Sequence, residues 1–511
     1  MTGKRIAIFG LGRSGLAIGK AALAKGGFPH VFDQKTLADL PKRDAYVEAI
    51  ALGIEVTLGW YGHFNASEVD LLVVNPAVDK RHPTLIRAIN DGIDVISEVE
   101  FAFRISNAPI VAITGTNGKS TTTVMTYLCL LACGEKPVLC GNIFGSGFEE
   151  VPMTEAALNS TPDQTLVAEI SSFQLEWISR FKPVAAGITN IWPDHLDRYS
   201  GFEEYAATKQ RIFERMDCED YAVVRANDPV VAAPGTKSPS YRRVRLRITG
   251  GAAVLAEKIP TTLTFGATGE HGRVEEQSLR LINQTVRLED LPFTEPHNYT
   301  NACMAALLAY GALKNRAFHD PTSHAAEILA LAEKKESERM RVGRTVYDGR
   351  LPDGPVMAMP MEIIEGLKSF RGIEHRMEFV GAKNGIRVIN NSMCTNPDAV
   401  IKSASSVRDP AHLLIGGVNK GLDFRPLKHY LANHRHHAYL FGSDANELNE
   451  MLGGGYPIFD TMKQAFDVAT QEAVKGEVIM LAPGCASADQ FRDFRDRGTV
   501  FKTMAKEWLE E

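Results

Sequence analysis

Residues 110–121 read Ile110-Val111-Ala112-Ile113-Thr114-Gly115-Thr116-Asn117-Gly118-Lys119-Ser120-Thr121. The opening apolar run suits a buried strand and the stretch from Thr121 to Cys133 has helical composition, so the glycine-rich residues form the turn between them. In such a turn backbone N–H groups face a phosphate and the helix N-terminus adds positive potential. Lys119 reaches the terminal phosphates, and Ser120 offers its hydroxyl to magnesium. The strict Gly-x-x-x-x-Gly-Lys-Ser spacing would put glycine at position 113, where this chain has Ile113. The strand–loop–helix context therefore carries the reading against a purely structural turn.

Upstream, Lys4 to Phe9 is an apolar strand entering Gly10-Leu11-Gly12-Arg13-Ser14-Gly15, and Leu16 to Lys25 has helical composition. A second strand, His30-Val31-Phe32, ends at Asp33; a third, Val69 to Val74, ends at Asn75-Pro76. This is a βαβ series, the pattern of a parallel doubly wound sheet. Gly10-x-Gly12-x-x-Gly15 with Asp33 matches a dinucleotide fingerprint, which on its own supports a nicotinamide-dependent oxidoreductase with Asp33 on a ribose hydroxyl. The same loop accommodates any pyrophosphate-containing nucleotide, and an oxidoreductase has no need of the second phosphate loop.

Downstream, strands fit Thr165 to Glu169, Ala185 to Thr189 and Tyr221 to Val224. The β-branched, polar stretch from Lys237 to Leu291 suggests a small antiparallel appendage. A long alanine-rich helix starts near Asn298, a charged region from Lys314 to Pro360 has the look of an insertion, and a third unit starts near Gly372. Its strands fit Val388-Ile389, Leu413 to Ile415, Ala438 to Leu440 and Val478 to Met480. The expected fold is α/β in three domains: Rossmann-like over 1–107, P-loop ATPase-like over 108–373 and Rossmann-like over 374–511.

Two acidic stretches end predicted strands. Glu169-Ile170-Ser171-Ser172-Phe173-Gln174 places a carboxylate where the C-terminal edge of a sheet meets the phosphate site, the position of a magnesium ligand. Asn190-Ile191-Trp192-Pro193-Asp194-His195-Leu196-Asp197 does the same with a histidine and two aspartates. Lys209, on a predicted helix, reads from the residues alone as a solvated lysine.

At 511 residues the chain exceeds one hydrophobic core. A net charge of -6 spread along the chain gives no sign of a polyanion-binding surface, so no nucleic-acid partner is expected. The seven cysteines (Cys129, Cys133, Cys140, Cys218, Cys303, Cys394, Cys485) are scattered and never Cys-x-x-Cys; they read as reduced, mostly core thiols. No apolar stretch approaches a membrane span and the first residues lack a signal peptide's apolar region, so no membrane insertion and a cytoplasmic location are expected.

Thr114 to Thr121, Glu169 to Gln174, Asn190 to Tyr199, His297 to Ala302, His375-Arg376 and Leu481 to Phe494 occur in the order seen in the Mur ligases, and the chain resembles that family nearly end to end. With its first-domain loop, it looks like the D-glutamate-adding branch. The resemblance implies ATP-driven phosphorylation of a UDP-sugar peptide precursor of the cell wall, followed by attack of an amino acid's amine on the acyl phosphate. It implies that Gly115, Thr116, Asn117, Gly118, Lys119, Ser120 and Thr121 hold ATP, with Asn298 and Asn301 near the adenine. Ser120 and Glu169 hold one magnesium; His195 and a carbamate on Lys209 hold a second. Arg376 steadies the transferring phosphate. Arg13, Ser14, Asp33, Gln34 and Lys35 surround the uridine and diphosphate, and Asn142 contacts the sugar side. Thr395, Lys420, Ser487 and Phe494 hold the incoming glutamate, and Phe494 starts a predicted helix whose N–H groups favour an anion.

The family commonly shows Asp-Ser-Lys-Ala-Thr-Asn where this chain has Asn391-Ser392-Met393-Cys394-Thr395-Asn396. Asn391 thus stands for a carboxylate near the ATP ribose, and Met393 removes a cation near the reacting centre. The alternatives are an acceptor other than D-glutamate (L-glutamate first), a folylpolyglutamate-type ligase and a scaffold that has lost catalysis. Folate enzymes do not place such a first domain ahead of the phosphate loop, and a degenerate scaffold would have lost Lys119, Glu169, His195 or Lys209. The expected working form is a monomer.

Overall fold

The computed structural model describes residues 1–40, 43–143, 145–194, 198–228, 230, 260–293, 296–344, 357–407, 409–419 and 421–511. They build three sheets with helices between the strands. The first contains β1 (Arg5–Phe9), β2 (Phe28–Asp33), β3 (Glu55–Leu58), β4 (Leu71–Val74) and β5 (Asp94–Ser97) in the order β3-β2-β1-β4-β5, all parallel. The strand order reverses direction between β1 and β4, so the crevice outside their carboxyl ends is the ligand position of such a sheet. Gly10 and Asn75 follow those two ends.

The second sheet contains β6 (Ile110–Thr114), β7 (Lys136–Gly141), β8 (Gln164–Glu169), β9 (Ala185–Ile188), β10 (Tyr221–Arg225), β11 (Thr261–Gly266), β12 (Gly272–Val274), β13 (Ser278–Leu281) and β14 (Gln284–Arg287), ordered β14-β13-β12-β11-β10-β9-β6-β8-β7. β6 lies fully buried between β8 and β9, as expected of a strand covered on both faces. The expected antiparallel appendage is corrected in part. β12 with β13 and β13 with β14 pair antiparallel, but β11 runs parallel to β10 and β12 parallel to β11, extending the main sheet. The reason is that Leu263 and Phe265 of β11 are fully buried and join its core. Residues 231–259 of that stretch lie outside the described residues.

The alanine-rich segment is the helix Pro296–His319, whose run Ala302 to Ala309 is entirely buried. Small side chains let neighbouring backbones approach: a Cβ on Gly311 would lie 2.6 Å from Tyr221 Cβ. The expected insertion begins as the end of this helix and continues as the helix His324–Arg344; residues 345–356 are outside the described set.

The third sheet contains β15 (Glu378–Lys383), β16 (Ile386–Asn390), β17 (Ala411–Gly416), β18 (His437–Phe441), β19 (Ile458–Phe459) and β20 (Val478–Gly484), ordered β15-β16-β20-β17-β18-β19, with β15 antiparallel to β16 and the rest parallel. By compactness the first two sheets share one unit, Met1–Phe144 with Phe148–Phe370, and the third sheet lies in the other, Gly145–Gly147 with Arg371–Glu511. Six cysteines are buried and Cys218 is exposed, all free thiols. Among the described residues no helix is long and apolar enough to cross a membrane.

Candidate active site

In the first unit β6 delivers its chain into the loop Gly115–Gly118, and the helix Lys119–Ala132 begins directly after it. Gly115 has φ 145°, and a Cβ there would lie 1.9 Å from Thr189 Oγ1; Gly118 has φ 80°, and its Cβ would meet Asn301 Oδ1 at 2.6 Å. Both positions therefore require glycine on conformation and on space. The loop is braced by the segment after β9. Thr116 N–H donates to Asn190 O at 2.9 Å, and Asn117 N–H donates to Asn190 Oδ1 at 3.0 Å. Thr189 Oγ1 donates to Asn117 O at 2.6 Å, and the Thr116 hydroxyl shares a 3.1 Å hydrogen bond with that of Tyr205.

Around this loop the structure gathers the expected groups. Ser120 Oγ donates to Glu169 Oε2 at 2.6 Å, and Asn142 Nδ2 donates to Glu169 Oε1 at 3.2 Å. Lys119 Nζ is turned onto Thr116 O at 2.9 Å. Asn301 is buried and donates to Asn298 Oδ1 at 3.2 Å. Lys209 is corrected from the solvated reading: it is 2% exposed, and Nζ donates to Gly115 O at 2.8 Å. Burial first, and the Lys119 charge second, lower its pKa from 10.5 to about 7, against the pull of Asp194 and Glu169. His195 lies outside the described residues. Hard oxygen donors of this kind suit a magnesium ion that keeps waters and shares phosphate oxygens.

On the first sheet, Gly10 (φ 110°) packs against Asn75, whose Cβ would be 2.7 Å from an added Cβ. Asp33 spends both carboxylate oxygens on the loops, accepting from Leu11 N–H at 2.7 Å and Lys35 N–H at 2.8 Å. Arg13 is exposed with Nη2 on Glu150 O at 2.9 Å. Ser14 bonds to the buried Glu98, Gln34 Nε2 meets His82 Nε2 at 3.0 Å, and Lys35 is exposed.

In the second unit, His375 and Met377 flank Arg376 with φ of 60° and 47°. Asn391 is buried; its amide donates to Ser403 Oγ at 2.7 Å and accepts from Met377 N–H at 3.1 Å. Thr395 is exposed and Ser487 is buried. Phe494 does start a helix, Phe494–Glu510, but the next two N–H groups, of Arg495 and Asp496, are already capped by the Asp493 carboxylate. Lys420 lies outside the described residues. Residue-by-residue reading missed Thr189, Asn190 and Tyr205 as braces of the phosphate loop; only the run beginning Asn190-Ile191 signalled that segment.

Three family models match in sequence order: "Mur ligase MurD-like, N-terminal domain" over 4–97, "Mur ligase middle domain" over 113–309 and "Mur ligase, glutamate ligase domain" over 375–485. The chain is 32% identical over 506 residues to the UDP-N-acetylmuramoylalanine--D-glutamate ligase of Caldanaerobacter subterraneus, covering 98% of this chain and 97% of that one. It belongs to the Mur ligases. The same-named enzyme of Koribacter versatilis is 31% identical over 511 residues, covering 100% of this chain and 98% of that relative. The expected residues Lys119, Ser120, Glu169 and Lys209 stand around the phosphate loop, at the carboxyl ends of β6 and β8 and on the helix Phe202–Gln210.

Proposed function

We propose that this Mur ligase uses ATP to join D-glutamate to UDP-N-acetylmuramoyl-L-alanine in cell-wall precursor synthesis. The observation that carries the reading is Lys209, buried against the phosphate loop with Nζ on Gly115 O, where burial lowers its pKa to about 7, beside the Ser120–Glu169 pair. The full-length likeness to two D-glutamate ligases supports the choice of substrates.

The substrate's carboxylate oxygen attacks the terminal phosphorus of ATP and ADP leaves. The glutamate amine then attacks the acyl carbon, the C–O bond to phosphate breaks, and the amine loses a proton. The chain's task is positioning and charge. Lys119 supplies a positive point at the transferring phosphoryl group, and the loop N–H groups hold its oxygens. Magnesium, when bound, neutralises phosphate charge; Ser120, Glu169, His195 and carbamoylated Lys209 are the residues that would hold it. A neutral Lys209 amine adds to carbon dioxide and sheds a proton, which converts a cation repelling the metal into an oxygen ligand.

Arg13, Ser14, Asp33, Gln34, Lys35 and Asn142 are proposed for the UDP-sugar, and Asn298 and Asn301 for the adenine. From the second unit Arg376, Asn391, Thr395, Lys420, Ser487 and Phe494 are proposed as its contributions to the reaction. Domain boundaries are proposed at 107/108 and 373/374, with a cytoplasmic monomer as the working form. The test is phosphate release with ATP, UDP-N-acetylmuramoyl-L-alanine and each glutamate enantiomer. Release is expected with the D-form. A higher specificity constant for L-glutamate overturns the enantiomer, and no release with any amino acid overturns the ligase.

A further inference from the structure

Arg198 makes a set of contacts that the phosphate chemistry does not use. Its guanidinium lies 3.9 Å from the centre of the Phe173 ring and forms a two-pronged pair with Glu176, Nε to Oε1 at 3.2 Å and Nη2 to Oε2 at 2.8 Å. Both side chains are nearly buried, 9% and 2% exposed. The remaining donors leave the second sheet altogether: Nη1 reaches Pro76 O at 2.7 Å and Nη2 reaches Val78 O at 2.8 Å. Those carbonyls belong to the loop after β4. Asn75 folds that loop on itself, accepting from Ala77 N–H on Oδ1 at 3.0 Å and from Val78 N–H on its carbonyl at 2.9 Å.

Asn75 is also the wall against which Gly10 of the first glycine loop packs. On the other side, Arg198 holds Phe173 and Glu176, in the stretch that follows Glu169, the partner of Ser120 at the end of β8. A second contact runs alongside, with Lys80 paired to Glu204 and lying 4.9 Å over the Tyr199 ring. A planar fork fixed by stacking and by a carboxylate holds two carbonyls with little freedom, which a lysine ammonium cannot reproduce.

We infer that Arg198 is a positioning residue that ties the Asn75–Val78 loop to the Phe173–Glu176 stretch following Glu169 at the end of β8, so that the bound sugar acid and the ATP phosphates are presented in fixed register. This rests on the proposed function for the identity of the acid. Loss of register costs reaction geometry more than nucleotide affinity, and small misplacements cost on the order of 10²-fold.

The test compares Arg198→Lys, Arg198→Ala and Glu176→Gln with wild type. For Arg198→Ala, kcat/KM for UDP-N-acetylmuramoyl-L-alanine is expected to fall about 10²-fold while the KM for ATP stays within about twofold. Arg198→Lys is expected to recover part of the loss, and Glu176→Gln to show a smaller loss of the same kind. Amide hydrogen exchange, which needs no substrate, is expected to quicken at residues 77–78 in both Arg198 variants and to stay unchanged across 115–121. Unchanged exchange at 77–78, or equal losses toward ATP and the sugar acid, overturns the inference. A wild-type protein that releases no phosphate overturns the proposed function instead, and the exchange measurement still decides for or against Arg198.

Discussion

Lys209 Nζ donates to the carbonyl oxygen of Gly115 at 2.8 Å, so the buried amine is tied to the first residue of the phosphate loop. A lysine with only 2% exposure is expensive to keep charged, and this one has Lys119 as a second cation nearby. Removing the side chain should leave the fold intact and, on the proposed carbamate, leave magnesium one ligand short. Lys209→Ala is expected to lose about 10²-fold or more in phosphate release. Small carboxylates such as formate should restore part of the rate by supplying an anionic oxygen. Full activity without rescue would return Lys209 to a packing role.

The same group predicts a pH dependence. Its pKa in the folded chain is about 7 against the ordinary 10.5, so the neutral amine that reacts with carbon dioxide predominates above about pH 7 and becomes scarce below it. Activity should fall as pH drops through 7 and recover on adding bicarbonate. Between these two values the unfolded chain holds a proton that the folded chain does not, so the penalty of burying this lysine is full below about pH 7 and fades as pH rises. Lys209→Met should therefore exceed wild type in stability most at low pH, with the gap closing toward pH 10. Urea unfolding at several pH values reads this; a gap that widens with pH contradicts it.

Gly115→Ala should damage the loop on two counts. Its φ of 145° is disfavoured for alanine, and the new methyl would lie 1.9 Å from Thr189 Oγ1 and 3.1 Å from Asn190 O. Moving Thr189 away breaks its 2.6 Å bond to Asn117 O. We expect a stability loss of about 1–3 kcal/mol and at least tenfold weaker binding of a non-hydrolysable ATP analogue. Adding Thr189→Ala should return some affinity by removing the clashing oxygen. Calorimetric titration within twofold of wild type for Gly115→Ala would refute this account.

How far the sequence could be read depended on whether the deciding information was local. β6, β8, β9, β17 and β20 announced themselves as apolar runs, and Gly10, Gly12, Gly15, Gly115 and Gly118 marked the two loops because backbone conformation shows in residue type. Lys209 did not announce its burial: the helix Phe202–Gln210 carries Glu203, Glu204, Lys209 and Gln210 and looks solvated, yet tertiary packing buries five of its residues. The Thr189–Asn117 bond joins residues 72 positions apart and leaves no periodic trace. Asn391 could be read only as a departure from a family pattern. The structure shows its amide donating to Ser403 Oγ, whose own hydroxyl donates to Ala399 O at 2.7 Å. A carboxylate would have no proton to offer there, so the asparagine fits its local partners.

The second unit rests on one buried cation. Arg497 is fully buried and braces two loops, Nε donating to Ser392 Oγ at 3.1 Å and Nη2 to Ser392 O at 3.0 Å and Cys485 O at 3.1 Å. Burial lowers its pKa to about 10, still far above neutrality, so the charge persists. Ser392 in turn donates to Phe494 O at 2.7 Å, linking the brace to the start of the helix Phe494–Glu510. Arg497→Met keeps much of the apolar volume but leaves two carbonyls and a hydroxyl with a lost partner. Charge-assisted hydrogen bonds lost in this way set the cost at about 3 kcal/mol. The expected result is a lower urea midpoint at unchanged slope. Because Ser392 and Cys485 lie three and two residues before Thr395 and Ser487, which are proposed for the glutamate, the KM for glutamate should rise while that for ATP holds. If the midpoint falls and neither KM moves, Arg497 supports the fold without shaping the proposed glutamate contacts.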